Sequence, residues 1–104
     1  MPRRPNYPAR RVKTLVEGYS TLRYLKDTKP GRSLDTLCQL VDLDVAVSNL
    51  GPIEYVSILL CGLIGLTQEE AAETLGVRQS TVSRRYERAL DVLRAAMNGE
   101  DEPA

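Results

Sequence analysis

The first half of the chain spaces its apolar residues as a helix does. A first helix is predicted from about Ala9 to Lys26, since Val12, Leu15, Val16, Tyr19 and Leu22 recur every three to four positions. Pro30-Gly31 within residues 28–32 predicts a turn. A second helix over residues 33–49 follows, with Ser33 or Asp35 as its cap.

That second helix carries two apolar stripes. One stripe contains Leu34, Leu37, Cys38, Val41 and Val45, and the other contains Leu40, Leu43 and Val47. Two stripes predict a helix covered on two sides, by its own domain and by a second subunit.

A third segment, residues 52–64, is nearly continuous apolar sequence after the break at Gly51-Pro52. A buried strand is the competing interpretation of such a run. Its length and the helices predicted on either side favour a helix, which we expect to be the most buried element.

Residues 66–90 (LTQEEAAETLGVRQSTVSRRYERAL) show the pattern of a helix-turn-helix. Thr67 and Glu70 predict a capping box, Ala71-Ala72 permits a close helix crossing, and Gly76 suits a sharp turn plugged by Val77. The inward face of the second helix contains Val82, Tyr86, Ala89, Leu90 and Leu93. An ordinary hairpin with a solvated arginine face is the alternative. The cap, the paired alanines, the glycine and the apolar spacing together favour a helix-turn-helix.

The outward residues of the second helix suit the reading of DNA. Amide, guanidinium and hydroxyl groups hydrogen-bond base edges in the major groove, and the predicted base-reading residues are Gln79, Ser80, Ser83 and Arg84. The predicted phosphate-binding residues are Thr67, Gln68, Arg78, Thr81, Arg85 and Arg88.

The net charge of zero conceals an uneven distribution. Residues 1–32 hold nine Lys or Arg, residues 33–77 hold seven acids and no base, and residues 78–94 hold five arginines. A nucleic acid therefore meets a locally basic surface despite the neutral total.

The expected domain organisation has three parts. Residues 1–9 form a flexible basic arm, residues 10–97 a single helical domain with the helix-turn-helix at 67–93, and residues 98–104 an acidic disordered tail. Arg3 and Arg4 either enter an adjacent minor groove or belong to a solubilising terminus. Arg10, Arg11 and Lys13 are expected to contact phosphate if the first helix lies near DNA.

Several function classes are excluded or disfavoured by composition. Histidine is absent, so a Cys/His zinc site is excluded, and Cys38 and Cys61 are expected as small core side chains. No catalytic constellation or phosphate-binding glycine loop occurs, so neither an enzyme nor a cofactor is expected. No apolar run approaches the roughly 20 residues of a membrane span, and a cytoplasmic location is expected.

Residues 50–93 resemble region four of bacterial RNA polymerase sigma factors and related sigma-like regulators. The matching residues are Leu50, Pro52, Glu54, Val56, Gly65, Leu66, Thr67, Glu70, Ala71, Ala72, Leu75, Gly76, Val77, Ser80, Thr81, Val82, Arg85, Ala89 and Leu90. The resemblance implies a four-helix DNA-binding unit whose recognition helix begins at Arg78 or Gln79. Two features depart from it: Arg78 stands where the family places a small hydroxyl cap, and Ile53 and Tyr55 stand where it is commonly charged.

These patterns together predict an all-α bundle of about five helices containing a tetrahelical helix-turn-helix. The predicted function is a small bacterial or phage transcription regulator that binds a specific duplex DNA site as a homodimer. The second helix or the long C-terminal helix would supply the dimer face. The alternative is a sigma-like interaction module that docks on RNA polymerase or on an anti-sigma partner through the acidic middle segment.

Overall fold

The computed structural model describes residues 6–19 and 34–100. Five helices occupy these residues: α1 (Ala9–Glu17), α2 (Leu34–Ser48), α3 (Pro52–Ser57, continued by a π-helix over Ile58–Ile64), α4 (Gln68–Leu75) and α5 (Gln79–Met97). The described residues contain no strand, so the predicted all-α bundle is confirmed and the strand interpretation of residues 52–64 is wrong.

The 19-residue helix α5 is the centre of the packing, since every other helix contacts it. The main core joins side chains of α1, α2 and the π-helix to the inner face of α5, namely Val12, Leu15, Val16, Leu43, Ile58, Tyr86, Ala89 and Leu93. A smaller core of Ala71, Ala72 and Val82 holds α4 against α5. The paired alanines thus serve the close crossing that the sequence predicts.

The boundaries of the first two helices differ in how well they match expectation. Helix α1 ends at Glu17, where Gly18 donates its N–H to the last carbonyls, and not at Lys26 as predicted. Residues 20–26 of that prediction and the predicted turn at 28–32 lie outside the described residues. Helix α2 begins and ends within one residue of its predicted bounds.

Helix α3 and its π-helical continuation are not the most buried element, and that prediction is wrong. Ile53, Tyr55 and Ile64 are 57%, 41% and 59% exposed. Only Ser57, Ile58 and Gly62 are buried, although the segment contacts α1, α4 and α5 and packs Leu60, Cys61 and Leu63 partly against the two cores. A Cβ at Gly62 would clash with Cγ1 of Val16, so glycine permits this close approach.

Within residues 6–19 and 34–100, helix α2 is covered on one side only. Leu40, Leu43 and Ala46 are buried, whereas Val41 and Val45 are 53% and 56% exposed. The expectation of a core position is wrong for Cys38, which is exposed because it shares the outward stripe with the two valines. Cys61 is half-buried, and desolvation raises the pKa of its thiol.

Tyrosine hydroxyls fasten α1 and the residues beside it to the rest of the bundle. Tyr7 Oη donates to Asp42 at 2.6 Å, Tyr19 Oη donates to Asp44, and Tyr86 Oη donates to Glu17 at 3.0 Å. Burial and these carboxylate partners raise the pKa of Tyr7 and of Tyr86 well above the usual tyrosine value.

A second anchor joins the two ends of the described chain. The backbone N–H of Tyr7 donates to Oδ1 of Asn98 at 2.6 Å, and Nδ2 of Asn98 donates to the carbonyl of Tyr7 at 2.9 Å. Tyr7 is therefore fixed beside the C-terminal end of α5.

None of the described helices combines the length and the apolar character that crossing a bilayer requires.

Candidate nucleic-acid interface

Helix α4 begins with the predicted capping box. Thr67 Oγ1 accepts from the N–H of Glu70 at 3.1 Å, and the Glu70 carboxylate accepts from the N–H of Thr67 at 3.0 Å. Hydrogen bonds from the backbone and from the side chain of Thr67 to the Glu70 carboxyl group lower the pKa of Glu70. With Glu69 and Glu70 in the first turn, the N-terminus of α4 is already supplied with negative charge.

The turn into α5 has the predicted glycine geometry. Gly76 adopts a left-handed conformation at φ 69°, and the N–H of Val77 donates to the carbonyl of Ala72 at 3.1 Å. Such a C-terminal cap closes α4 and redirects the chain at once into the next helix.

Helix α5 begins without a side-chain cap. Arg78 occupies the N-cap in an extended conformation, its side chain makes no capping hydrogen bond, and the first turn contains no acid. The helix N-terminus therefore presents N–H groups and a positive dipole end, which suit a phosphate. The start of α5 thus lacks the side-chain cap and the acidic residues that the start of α4 has.

The predicted base-reading residues lie on the first two turns of α5. Gln79, Ser80 and Arg84 are exposed, and Ser83 is half-buried. Their outward placement leaves Val82 and Tyr86 to fill the inner face, as the spacing predicts. The role of each side chain in reading bases stays a prediction.

The predicted phosphate-binding residues divide into two groups. Arg78 and Thr67 are exposed at the two helix starts, and Gln68 is half-buried beside Thr67. Thr81, Arg85 and Arg88 are half-buried and line a groove of about 350 Å³ together with Arg84 and with Ile53 and Glu54 of α3. The fold thus gathers three arginines of α5 into one groove.

Ile53 and Glu54 form the wall of this arginine groove and were absent from the predicted site residues. The one signal in the sequence was the unusual Ile53 beside Glu54. The carboxylate of Glu54 lies against Gly51, at the N-terminus of its own helix. Among residues 6–19 and 34–100, neither Arg84 nor Arg85 forms an ion pair. Both guanidinium groups are therefore available to an anionic ligand.

Arg94, on the last turns of the same helix, is engaged differently. Its guanidinium pairs with Asp91 at 3.1 Å and with Glu100 at 3.0 Å. The hydrogen bond to Asp91 is the main reason that the pKa of Arg94 is raised. Arg94 is therefore not available to an anionic ligand in the way that Arg84 and Arg85 are.

The cations of α1 lie apart from the arginine groove. Arg11 donates from Nε to Oε1 of Gln39 at 3.2 Å. Arg10 lines a second groove together with Ala9, Lys13, Glu87, Leu90 and Asp91. Arg3 and Arg4 lie outside the described residues.

The anchor at Asn98 also bears on the predicted arm. Asn98 follows Gln79 by 19 positions, which is about 28 Å along a helix at 1.5 Å per residue. The chain preceding Tyr7 therefore starts far from the base-reading end of α5.

No group of three or more His, Cys, Asp or Glu side chains in the described part of the chain could hold a metal ion.

Residues 50–95, 46 of the 104 in the chain, match the family model for sigma-70, region 4. No solved structure matches the chain. The matched segment begins just before α3 and ends near the C-terminus of α5, so it contains both helices of the helix-turn-helix and the whole arginine groove. The match indicates that residues 50–95 form a DNA-binding helix-turn-helix related to transcription.

Proposed function

We propose that this protein binds a specific duplex DNA site and regulates transcription there. The observation that carries the proposal is the start of α5, which lacks a cap and an acid and is followed by exposed Gln79, Ser80 and Arg84. A helix that begins in this way can enter the major groove N-terminus first, with its donors directed at base edges and phosphate.

The proposed roles follow from chemistry and position. Gln79 pairs with adenine and Arg84 with guanine, while Ser80 and Ser83 donate to either base edge. Arg85, Arg88 and Thr81 hold the phosphates of one strand in the arginine groove, and Arg78, Thr67 and Gln68 hold phosphates at the two helix starts.

The test begins with enrichment of random duplexes on the purified protein, followed by titration of the selected site. Arg84→Ala should reduce discrimination at one guanine by about 1–3 kcal/mol. Arg88→Ala should weaken every sequence alike and reduce the slope of log K against log salt by about 0.9.

Arg94→Ala is the matched control, because it removes the same charge from the same helix at a position engaged by Asp91 and Glu100. Both the discrimination at the guanine and the slope of log K against log salt should stay unchanged in this variant. Should no duplex be enriched, or should Arg84→Ala and Arg94→Ala behave alike, the DNA-reading proposal fails. The alternative, docking on RNA polymerase or an anti-sigma partner, then becomes the better hypothesis.

Pairing of two copies is a further part of the proposal. One recognition helix reads only a few base pairs, so two copies at a symmetric site give useful specificity. The groove between α1 and α5 supports such pairing, because it carries Arg10 and Lys13 on one wall, Glu87 and Asp91 on the other, and Leu90 between them. A two-fold axis requires a self-complementary surface of this kind.

Charge reversal tests the pairing without DNA. The double variants Arg10→Glu/Lys13→Glu and Glu87→Lys/Asp91→Lys should each sediment as monomers at concentrations where the unchanged protein dimerises. An equimolar mixture of the two variants should recover the dimer, because their altered charges attract. An unchanged protein that is monomeric both free and on its selected DNA would contradict the pairing but not the DNA reading.

A further inference from the structure

The outward stripe of α2 lies outside the segment that matches sigma-70 region 4. Cys38, Val41, Val45 and Ser48 are exposed and follow one another at spacings of three, four and three residues. This alternation is that of the a and d positions of a coiled-coil seam, and the small side chains allow a partner helix to approach closely.

The seam continues into a shallow groove of about 200 Å³ between α2 and the end of α5. Val45, Ala46, Ala96 and Met97 supply its apolar lining, and Asp42 and Asn49 supply its polar edge. Valines more than half exposed beside an apolar groove indicate a surface that another molecule covers.

The charge around the seam limits what can cover it. Asp42 and Asp44 of α2 flank the seam and α2 itself contains no Lys or Arg, while Arg11 of α1 donates to Gln39 on α2. Each carboxylate accepts a hydrogen bond from a tyrosine hydroxyl of its own chain, Tyr7 or Tyr19, which fixes it in place.

A second copy packed on this seam would set these carboxylates against their own counterparts. A helix with Lys or Arg beside its apolar seam would pair with them instead. We propose that the α2 seam binds a basic amphipathic helix of another protein.

The α2 seam lies far from the end of α5 that is proposed to read DNA. Ala96 follows Gln79 by 17 positions, about 26 Å along α5. The partner helix and a DNA duplex can therefore be bound at the same time, and the chain can link the two.

The test uses two designed helical peptides with the same Leu and Val seam, one flanked by Lys and the other by Glu. Fluorescence anisotropy against the full chain, without DNA, should show binding of the Lys peptide and affinity at least about tenfold weaker for the Glu peptide. Val41→Ser/Val45→Ser should weaken binding of the Lys peptide by about tenfold or more, because two apolar contacts are lost. Ile64→Ser, at another exposed apolar residue, is the control and should leave peptide affinity unchanged.

Asp42→Asn/Asp44→Asn should remove the preference for Lys over Glu flanks, since the amide keeps an oxygen to accept from each tyrosine but carries no charge. Equal binding of the two peptides by the unchanged protein would overturn the proposal. A dimer of the free protein that Val41→Ser/Val45→Ser abolishes would also overturn it, because the seam would then belong to a second copy.

DNA enters only in the last measurement. A selected duplex should bind with the same affinity whether or not the Lys peptide is present, and displacement of the peptide by DNA would contradict the proposed separation. The peptide experiments do not depend on DNA reading, so their failure is distinct from failure of the proposed function.

Discussion

Both halves of α5 carry arginine side chains, but the surroundings of these arginines differ between the two halves. In the first half, Arg84 and Arg85 face a groove and form no ion pair within the described residues. In the second half, Arg94 forms ion pairs with Asp91 and Glu100, and Leu93 is fully buried, while Asn98, just after the helix, hydrogen-bonds Tyr7. Positive charge on a helix therefore identifies a ligand surface only where the fold leaves that charge unengaged.

The largest expected effect concerns the buried second half. Leu93→Ala should lower the free energy of unfolding by about 2–5 kcal/mol, because it removes a fully buried side chain from the main core. Arg84→Ala, in the exposed first half, should change it by no more than about 0.5 kcal/mol. Urea denaturation of both variants measures the difference. If Leu93→Ala and Arg84→Ala destabilised the protein equally, α5 could not be divided into a half that packs in the core and a half that reads DNA.

A smaller effect is expected where α5 and α1 meet the π-helix. Gly62→Ala should destabilise the protein by about 1–3 kcal/mol, since the added Cβ collides with the fully buried Val16. Combining it with Val16→Ala should recover part of that loss, because the second change removes the colliding methyl. Thermal or urea unfolding of the two single variants and the double variant gives the coupling energy. Additive losses would show that the close approach at Gly62 is not what constrains this position.

The smallest effects on stability are expected at the N-termini of α4 and α5, where they should have opposite signs. Thr67→Ala should cost about 1 kcal/mol, because α4 loses an observed cap. Arg78→Ser should stabilise the protein by a similar amount, because it supplies the cap that α5 lacks, and it should also weaken DNA binding by removing one phosphate contact. Denaturation and DNA titration of the same samples test both expectations. Loss of stability in Arg78→Ser would mean that the arginine stabilises the turn in a way that its geometry does not reveal.

Much of the helix-turn-helix was predictable because its determinants are local. The capping box at Thr67, the left-handed Gly76, the buried Ala71-Ala72 pair and the inner face of α5 all depend on residues a few positions apart. Helical spacing and turn chemistry express such short-range constraints directly.

The errors arose where burial depends on distant partners. Residues 52–64 are nearly continuous apolar sequence, yet Ile53, Tyr55 and Ile64 stay exposed, because the contacts with α1, α4 and α5 leave these positions uncovered. In α2 the spacing allowed either stripe to face the core, and contact with α1 and α5 placed Leu40 and Leu43 inside and Cys38 and Val41 outside. The end of α1 at Glu17 was also missed, because Gly18 alone did not outweigh the apolar spacing that continues beyond it.

The sequence by itself determined the all-helical class, the turn at Gly76, the missing cap at Arg78 and the resemblance to a DNA-binding family. The helices, the turn and the missing cap each depend on side chains within about one turn of the residue concerned. The tertiary structure alone decided which arginines stay unengaged, which stripe of α2 faces outward and where the chain before α1 is anchored. These features depend on contacts such as Tyr7 with Asn98, 91 positions apart, and no local pattern specifies how such remote segments meet.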